Sequence, residues 1–273
     1  MTTAVSVSRA ARPARRTTYW SRYRQALWLL TSRDLKVRYT TSALGYLWSI
    51  LDPLLMGLIY WVVFGFIFHR GNAADSPYIL YLLSAVLPWT WFNGNLSDAT
   101  RAFRQEGKLI RSVKIPRSIW ILRQIASKGI EFVISLSIIV FFALINWTAP
   151  SPCTFVYLPV AIVLQVLLTV GCNFIIAPLS VFFRDLERIV RLATRLLFYG
   201  SPVLYQLEIG HPVLHLLYGF NPLAGVLDLY RACFFPEVLD WMYVLQSVLV
   251  SALIFAVGCA VFRRSMPRVL KEI

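Results

Sequence analysis

Long apolar runs alternate along this chain with segments that are by turns rich in lysine and arginine and almost free of them. Residues 44–68 carry one charge, Asp52; residues 78–96 carry none; residues 129–145 carry only Glu131; residues 155–183 and 241–262 carry none. A bilayer needs roughly 20 apolar residues per helix, and a segment inside it must satisfy its own backbone hydrogen bonds, so such runs read as helices. A shorter run, residues 196–207, holds Pro202 and extends back through Leu192 and Arg195. The segments around the runs hold, in order, nine, one, eight, no, four, one and four basic residues. Cytoplasmic loops of membrane proteins are the basic ones. Six crossings with both termini in the cytoplasm place 25 of the 27 basic residues there. Without the short run as a fifth crossing, the C-terminal tail breaks the alternation. The expected fold is therefore an all-α integral membrane protein of the plasma membrane with six transmembrane helices.

Composition agrees. The chain is 58% hydrophobic and 15% charged, against about 25% charged in ordinary soluble domains. Its net charge of +14 is accounted for by the basic cytoplasmic segments, so nucleic acid is not an expected partner. Residues 1–19 read as a disordered basic cytoplasmic tail. They lack the apolar core and small-residue cleavage site of a signal peptide.

Residues 20–43 read as an amphipathic interface helix. Trp20, Tyr23, Leu27 and Leu30 recur at three- and four-residue intervals among Arg22, Arg24, Arg33, Lys36 and Arg38, a pattern suited to the inner headgroup layer or to packing on protein. Residues 99–118 form a basic loop in which Phe103, Leu109 and Ile110 share part of a helical face, Gly107 weakens the helix and Pro116 ends it. That loop fits either a docking element for a soluble partner or a plain basic loop. Residues 208–240 are expected outside, yet are largely apolar and broken by Pro212, Gly219, Pro222 and Gly225. Short helices re-entering the outer leaflet or capping a pore explain such a segment. Residues 263–273 form a cytoplasmic tail.

No catalytic constellation stands out. There is no G-x-x-x-x-G-K-[ST], G-x-S-x-G or H-E-x-x-H. His211 and His215 are four apart but no third metal ligand accompanies them, so no metal is expected. The four cysteines have no CxxC spacing. Cys153 and Cys233 both fall on the expected outer side, as a pair or as unpaired thiols. Glu131 follows Lys128 by three residues, which allows an ion pair along one helix face. Aromatic residues are plentiful within the runs, among them Tyr60, Trp61, Trp89, Trp91, Tyr199 and Tyr205. Interfacial belts account for some. Others are candidates to line a path for sugar, because aromatic faces pack on pyranose C–H faces while phenol and indole groups meet hydroxyls.

Four stretches together resemble permeases of the ABC-2 type that export polysaccharides such as O-antigen, capsule, teichoic acid and cell-wall galactan. The first is RDLKVRYTTSALGYLWSILDPLL, with Arg33, Asp34, Lys36, Arg38, Tyr39, Gly45, Trp48, Asp52 and Pro53. The second is KLIRSVKIPRSI. The third is FFRDLERIVRLATRLLFYGSPVLY, with Arg184, Asp185, Ser201 and Pro202. The fourth is FNPLAGVLDLYRACFF, with Asn221 and Pro222. The resemblance implies a half-transporter without its own ATPase. A second copy completes the channel, and two copies of a separate ATPase, which binds ATP and Mg, dock from the cytoplasm. It further implies that Arg33, Lys36 and Arg38 sit at phosphate depth, holding either a lipid-linked pyrophosphate or lipid headgroups, and that Phe103, Glu106, Leu109 and Ile110 couple to the ATPase. Asp34 would offset basic charge or contact that subunit, and Asp52 would face a wet channel or a polar helix. An ABC-2 exporter of a drug or lipid, and an integral-membrane glycosyltransferase, are the rival readings.

Overall fold

The computed structural model describes residues 19–40, 44–63, 78–113, 115–204 and 218–272, apart from the side chains of Tyr46, Tyr60 and Lys108. The expected disordered tail, Phe64 to Phe68 of the first run, Tyr205 and the His211–His215 pair lie outside these residues. Within them the chain is helical and carries no strand. Among the described residues three helices are long and apolar enough to cross a membrane: α6 (Ser118–Ile145), α7 (Thr154–Phe182) and α10 (Trp241–Glu272). Their outward faces expose Val140, Phe141 and Leu144 on α6, Val156 and Val163 on α7, and Leu245, Leu249 and Leu253 on α10. These side chains suit acyl chains.

Without a hydrophobic drive between helices in lipid, close packing needs small residues. The α7–α10 pair provides them. A Cβ at Gly258 would stand 2.4 Å from the Gly171 carbonyl oxygen, and one at Gly171 would stand 2.7 Å from Phe255 Cα. The two backbones therefore touch where both residues are glycine. Around this pair lies α3 (Tyr78–Ala99), which is buried along most of its length. It is covered by α2 (Trp48–Trp61), α6, α7, α8 (Leu186–Gly200) and α9 (Pro222–Arg231). Gln165 on α7 donates through Nε2 to the Pro88 carbonyl on α3 at 2.8 Å, tying the two central helices.

The interface helix α1 (Tyr19–Thr40) packs on α6, with Leu30, Thr31 and Tyr39 buried and Tyr23 sharing a 3.0 Å hydrogen bond with Ser118. Trp20, of the expected apolar face, is exposed with Tyr19, Trp28, Leu29 and Val37. A single 3₁₀ turn, Gly45–Leu47, leads into α2. Gly45 has φ +49° there, a left-handed conformation that side chains other than glycine adopt at a cost.

Two expected boundaries shift. The first span is a helix only from Trp48 to Trp61 among the described residues. The run expected as the fifth crossing falls on α8, which begins at Leu186, six residues before Leu192, the furthest reach expected, and ends at Gly200. Its stop is set by Pro202, which pushes Ser201 into an extended conformation (φ −105°, ψ 151°). The basic loop is two short helices, α4 (Ala102–Gln105) and α5 (Gly107–Ser112), broken at Glu106. The four cysteines are all free thiols.

Candidate functional site

The first run of charge enters the bundle through α1 and meets the ends of α3 and α6. Arg38 on α1 makes a two-pronged contact with Glu131 on α6 at 2.7 and 2.9 Å and reaches Asp98 on α3 at 3.6 Å. Lys128 on α6 reaches the same Asp98 at 3.2 Å. The expected Lys128–Glu131 pair along α6 is therefore replaced. The neighbouring helices bring partners closer than the three-residue spacing does. This cluster walls a cavity of about 480 Å³ whose other lining residues include Trp48, Asp52, Pro53, Thr90, Trp91 and Ser135. Asp52 is exposed into it and has no ion pair or hydrogen bond among the described residues.

A second cavity, of about 360 Å³, lies between α2, α3 and α8 and also borders Thr90. It is lined by Met56, Trp89, Asn93, Ser97, Arg191, Arg195, Phe198 and Tyr199. The Trp89 and Phe198 ring centroids are 5.3 Å apart. Two of the aromatic candidates, Trp89 and Tyr199, thus meet here, whereas Trp91 faces the charged cavity and Trp61 packs partly against the main core. The side chain of Tyr60 and all of Tyr205 lie outside the described residues.

The basic loop is tied inward. Phe103 is 0% exposed and Ile110 is buried, Leu109 packs on the same core, and Phe103 stands against Phe262 of α10. Glu106 turns to Arg123 of α6, which donates to it at 3.1 Å and to Asp34 of α1 at 2.6 Å. Arg123 is 3% exposed and also lies over the Trp120 ring, 5.0 Å from its centroid. Its burial with two carboxylates links the interface helix to the α4–α5 break. Burial raises the Asp34 carboxyl above its ordinary range, and the Arg123 charge opposes that shift. A further ion pair, Arg101 to Glu187, joins the same loop to the start of α8. The outward face of α4 and α5 is left to Arg104, Gln105, Arg111 and Ser112. Arg33 and Lys36 are exposed on α1, and so is Arg38, which is nevertheless held by Glu131 and Asp98.

Two motif stretches meet although they are 20 residues apart in sequence. Asn221 caps α9 by accepting from the Leu223 N–H at 3.0 Å, with Pro222 in the first helical position. Its Nδ2 donates to Ser201 Oγ at 2.9 Å and to the Gly200 carbonyl at 3.2 Å. Arg231, counted from sequence as an outer loop charge, is buried at the end of α9, donates to the Val203 carbonyl at 3.0 Å and lies over the Tyr81 ring. Arg184 and Asp185 stay exposed ahead of α8, with Asp185 3.8 Å from Arg188. The residues given no site role from sequence are Arg123, Asp98, Arg191, Arg195 and Glu187. An arginine between Ile121 and Ile125 was the one local signal, because a charge in an apolar helix demands partners.

Long lipid-suited helices, a buried central helix and polar cavities inside the bundle define a polytopic membrane transport subunit. A family profile described as ABC-2 type transporter matches residues 25–235, and the chain belongs to that family. It is 32% identical over 237 residues to the O-antigen export system permease protein RfbA of Klebsiella pneumoniae, covering 86% of this chain and 90% of that one. It is 30% identical over 217 residues to RfbA of Myxococcus xanthus, covering 79% and 82%. It is 26% identical over 243 residues to the polysialic acid transport protein KpsM of Escherichia coli, covering 85% and 90%. As a member of this family it is a multi-pass inner-membrane permease subunit and not an enzyme; ATP hydrolysis belongs to a separate subunit.

Proposed function

We propose that this chain is the permease of an ATP-driven exporter that moves a polyprenyl-pyrophosphate-linked polysaccharide from the cytoplasmic side across the plasma membrane. The observation that carries this reading is similarity along nearly the whole length of a curated O-antigen export permease. Two copies form the channel, and two copies of a partner ATPase, carrying ATP and Mg, dock on the cytoplasmic loops. The topology is six spans with both termini cytoplasmic. The basic alternation along the sequence supports it. α9 and the residues before it act as the outer gate, a role supported by the Asn221–Ser201 contact between the two motif stretches. Arg33 and Lys36 meet the carrier's phosphates, supported by their exposure on α1. Arg38 holds the inner end of the bundle together through Glu131 and Asp98. The aromatic groove of Trp89, Phe198 and Tyr199 lines the passage.

The test is a deletion strain with complementation. Loss of the gene should leave lipid-linked glycan inside the cell, visible by immunoblot of fractionated cells, and the wild-type gene should restore surface display. The isolated chain should show no ATP turnover, and co-purification with its ATPase should give a two-plus-two complex by mass photometry. Normal surface glycan in the deletion strain would sink the reading.

A further inference from the structure

We propose that the cavity between α1, α2, α3 and α6 is a subsite for one pyranose, the sugar that directly follows the pyrophosphate of the lipid-linked substrate. This rests on the proposed function above. The first argument is charge. Asp52, Asp98 and Glu131 face two cations, Arg38 and Lys128. Both cations are taken: Arg38 by Glu131 at 2.7 Å and Asp98 at 3.6 Å, Lys128 by Asp98 at 3.2 Å. A phosphate entering here meets an excess of negative charge and must displace a carboxylate from Arg38. A neutral, hydroxyl-rich ligand meets neither obstacle.

The second argument is the inventory of open hydrogen-bonding groups. Asp52 is the one carboxylate of the cavity with no partner among the described residues. An ionised carboxylate accepts only, and adjacent sugar hydroxyls are donors of matching spacing. Trp91, 6% exposed, lines the cavity with its ring, while its indole N–H is buried beside Gly129 and is not among the open groups. Thr90 spends its proton on the Leu87 carbonyl at 2.8 Å, which leaves its oxygen as an acceptor.

The third argument is shape. Trp48 and Trp91 supply aromatic surface, and Trp91 is held flat by Phe132, with centroids 4.8 Å apart. A volume of about 480 Å³ lies at the small end of the range of roughly 300–1,000 Å³ for small-molecule sites. It admits a sugar ring or two and no extended chain. The exposed Arg33 and Lys36 lie on the same helix as Arg38. Carrier phosphates held there place the first sugar next to the cavity mouth. Asp52, placed four residues into a short apolar helix, then has a use for a charge that lipid would penalise.

The experiment uses the complete permease–ATPase complex in lipid nanodiscs and reads ATPase stimulation against concentration of three probes. These are bare polyprenyl pyrophosphate, the same carrier with one hexose, and the carrier with one N-acetylhexosamine. The wild type should reach half-stimulation with at least one sugar-bearing carrier at a concentration roughly tenfold below that of the bare carrier, the scale of one charge-assisted hydrogen bond. Asp52→Asn, which keeps the side chain's volume, should bring that value to within about threefold of the bare carrier while leaving the bare-carrier response and basal hydrolysis in place, and Trp48→Ala, which removes aromatic surface from the cavity wall, should do the same. The subsite is overturned by a wild type without preference, by variants that keep the preference, or by variants that lose the bare-carrier response as well. A wild type that responds to none of the three probes overturns the lipid-linked reading itself.

Discussion

At the residue scale the most committed side chain is Arg123. Buried ion groups cost several kcal/mol of desolvation each, and removing one partner strands the others. Arg123 serves Asp34 and Glu106 at once from a 3% exposed position. Arg123→Ala should therefore lower the unfolding free energy of the solubilised protein by about 3 kcal/mol. Arg123→Lys, which keeps the charge but not the fork, should cost clearly less. Thermal unfolding in detergent measures both, and equal losses would show that the charge contributes nothing. Asp34 adds a pH signature. Burial raises its folded pKa above the ordinary 3.8, so the folded state takes up its proton first. Its contribution is fully present below the unfolded pKa and is lost as pH rises through the raised folded value. On acidification from neutral pH toward 4, the melting temperature of the wild type should rise relative to Asp34→Asn. A relative fall would mean that Arg123 outweighs burial.

At the element scale the α4–α5 pair divides into an inner and an outer face. Phe103 and Ile110 are buried against the bundle, and Glu106 is drawn to Arg123. Phe103→Ala should thus destabilise the permease by about 3–5 kcal/mol and reduce its yield in the membrane. Substituting Gln105, Arg111 and Ser112 together should leave thermal stability unchanged and lower recovery of the ATPase on affinity co-purification. Full recovery after that triple substitution would rule out the outer face as the dock. The sequence located this loop and its apolar residues. It did not show that those residues turn inward, because helical periodicity marks a shared face without saying what covers it. The three long spans were legible because each holds a long run with at most one charge: residues 129–145, 155–183 and 241–262. α8 was misplaced because its core stripe is only Val190, Thr194 and Phe198, so an arginine-bearing first half looked like loop. The Arg38 clamp was illegible for a different reason. Its partners Asp98 and Glu131 lie 60 or more residues away, and only packing of α1 across α3 and α6 selects them over the local Lys128–Glu131 spacing.

At the scale of the whole molecule, α8 has two unlike sides. One side packs on α3 and α7. The other exposes Leu192, Leu196 and Tyr199, the last two each 66% exposed, together with Arg191 and Arg195. Lipid is a poor neighbour for two arginines along one helix, and water alone is a poor neighbour for the leucines. A water-filled passage closed by a second copy suits both. The α6 face differs, since Val140, Phe141 and Leu144 are exposed with no charge beside them. The two faces give opposite expectations for single cysteines placed in a chain whose own four cysteines have been replaced by serine or alanine. Arg195→Cys and Tyr199→Cys should react with a charged, water-soluble thiosulfonate in the assembled transporter. Leu196→Cys should form a disulfide between copies under mild oxidant, doubling the mass on a non-reducing gel. Val140→Cys and Phe141→Cys should resist the charged reagent and stay monomeric under the same oxidant. Reactive α6 positions with a protected α8 would place α8 in lipid and remove the passage from between the two copies.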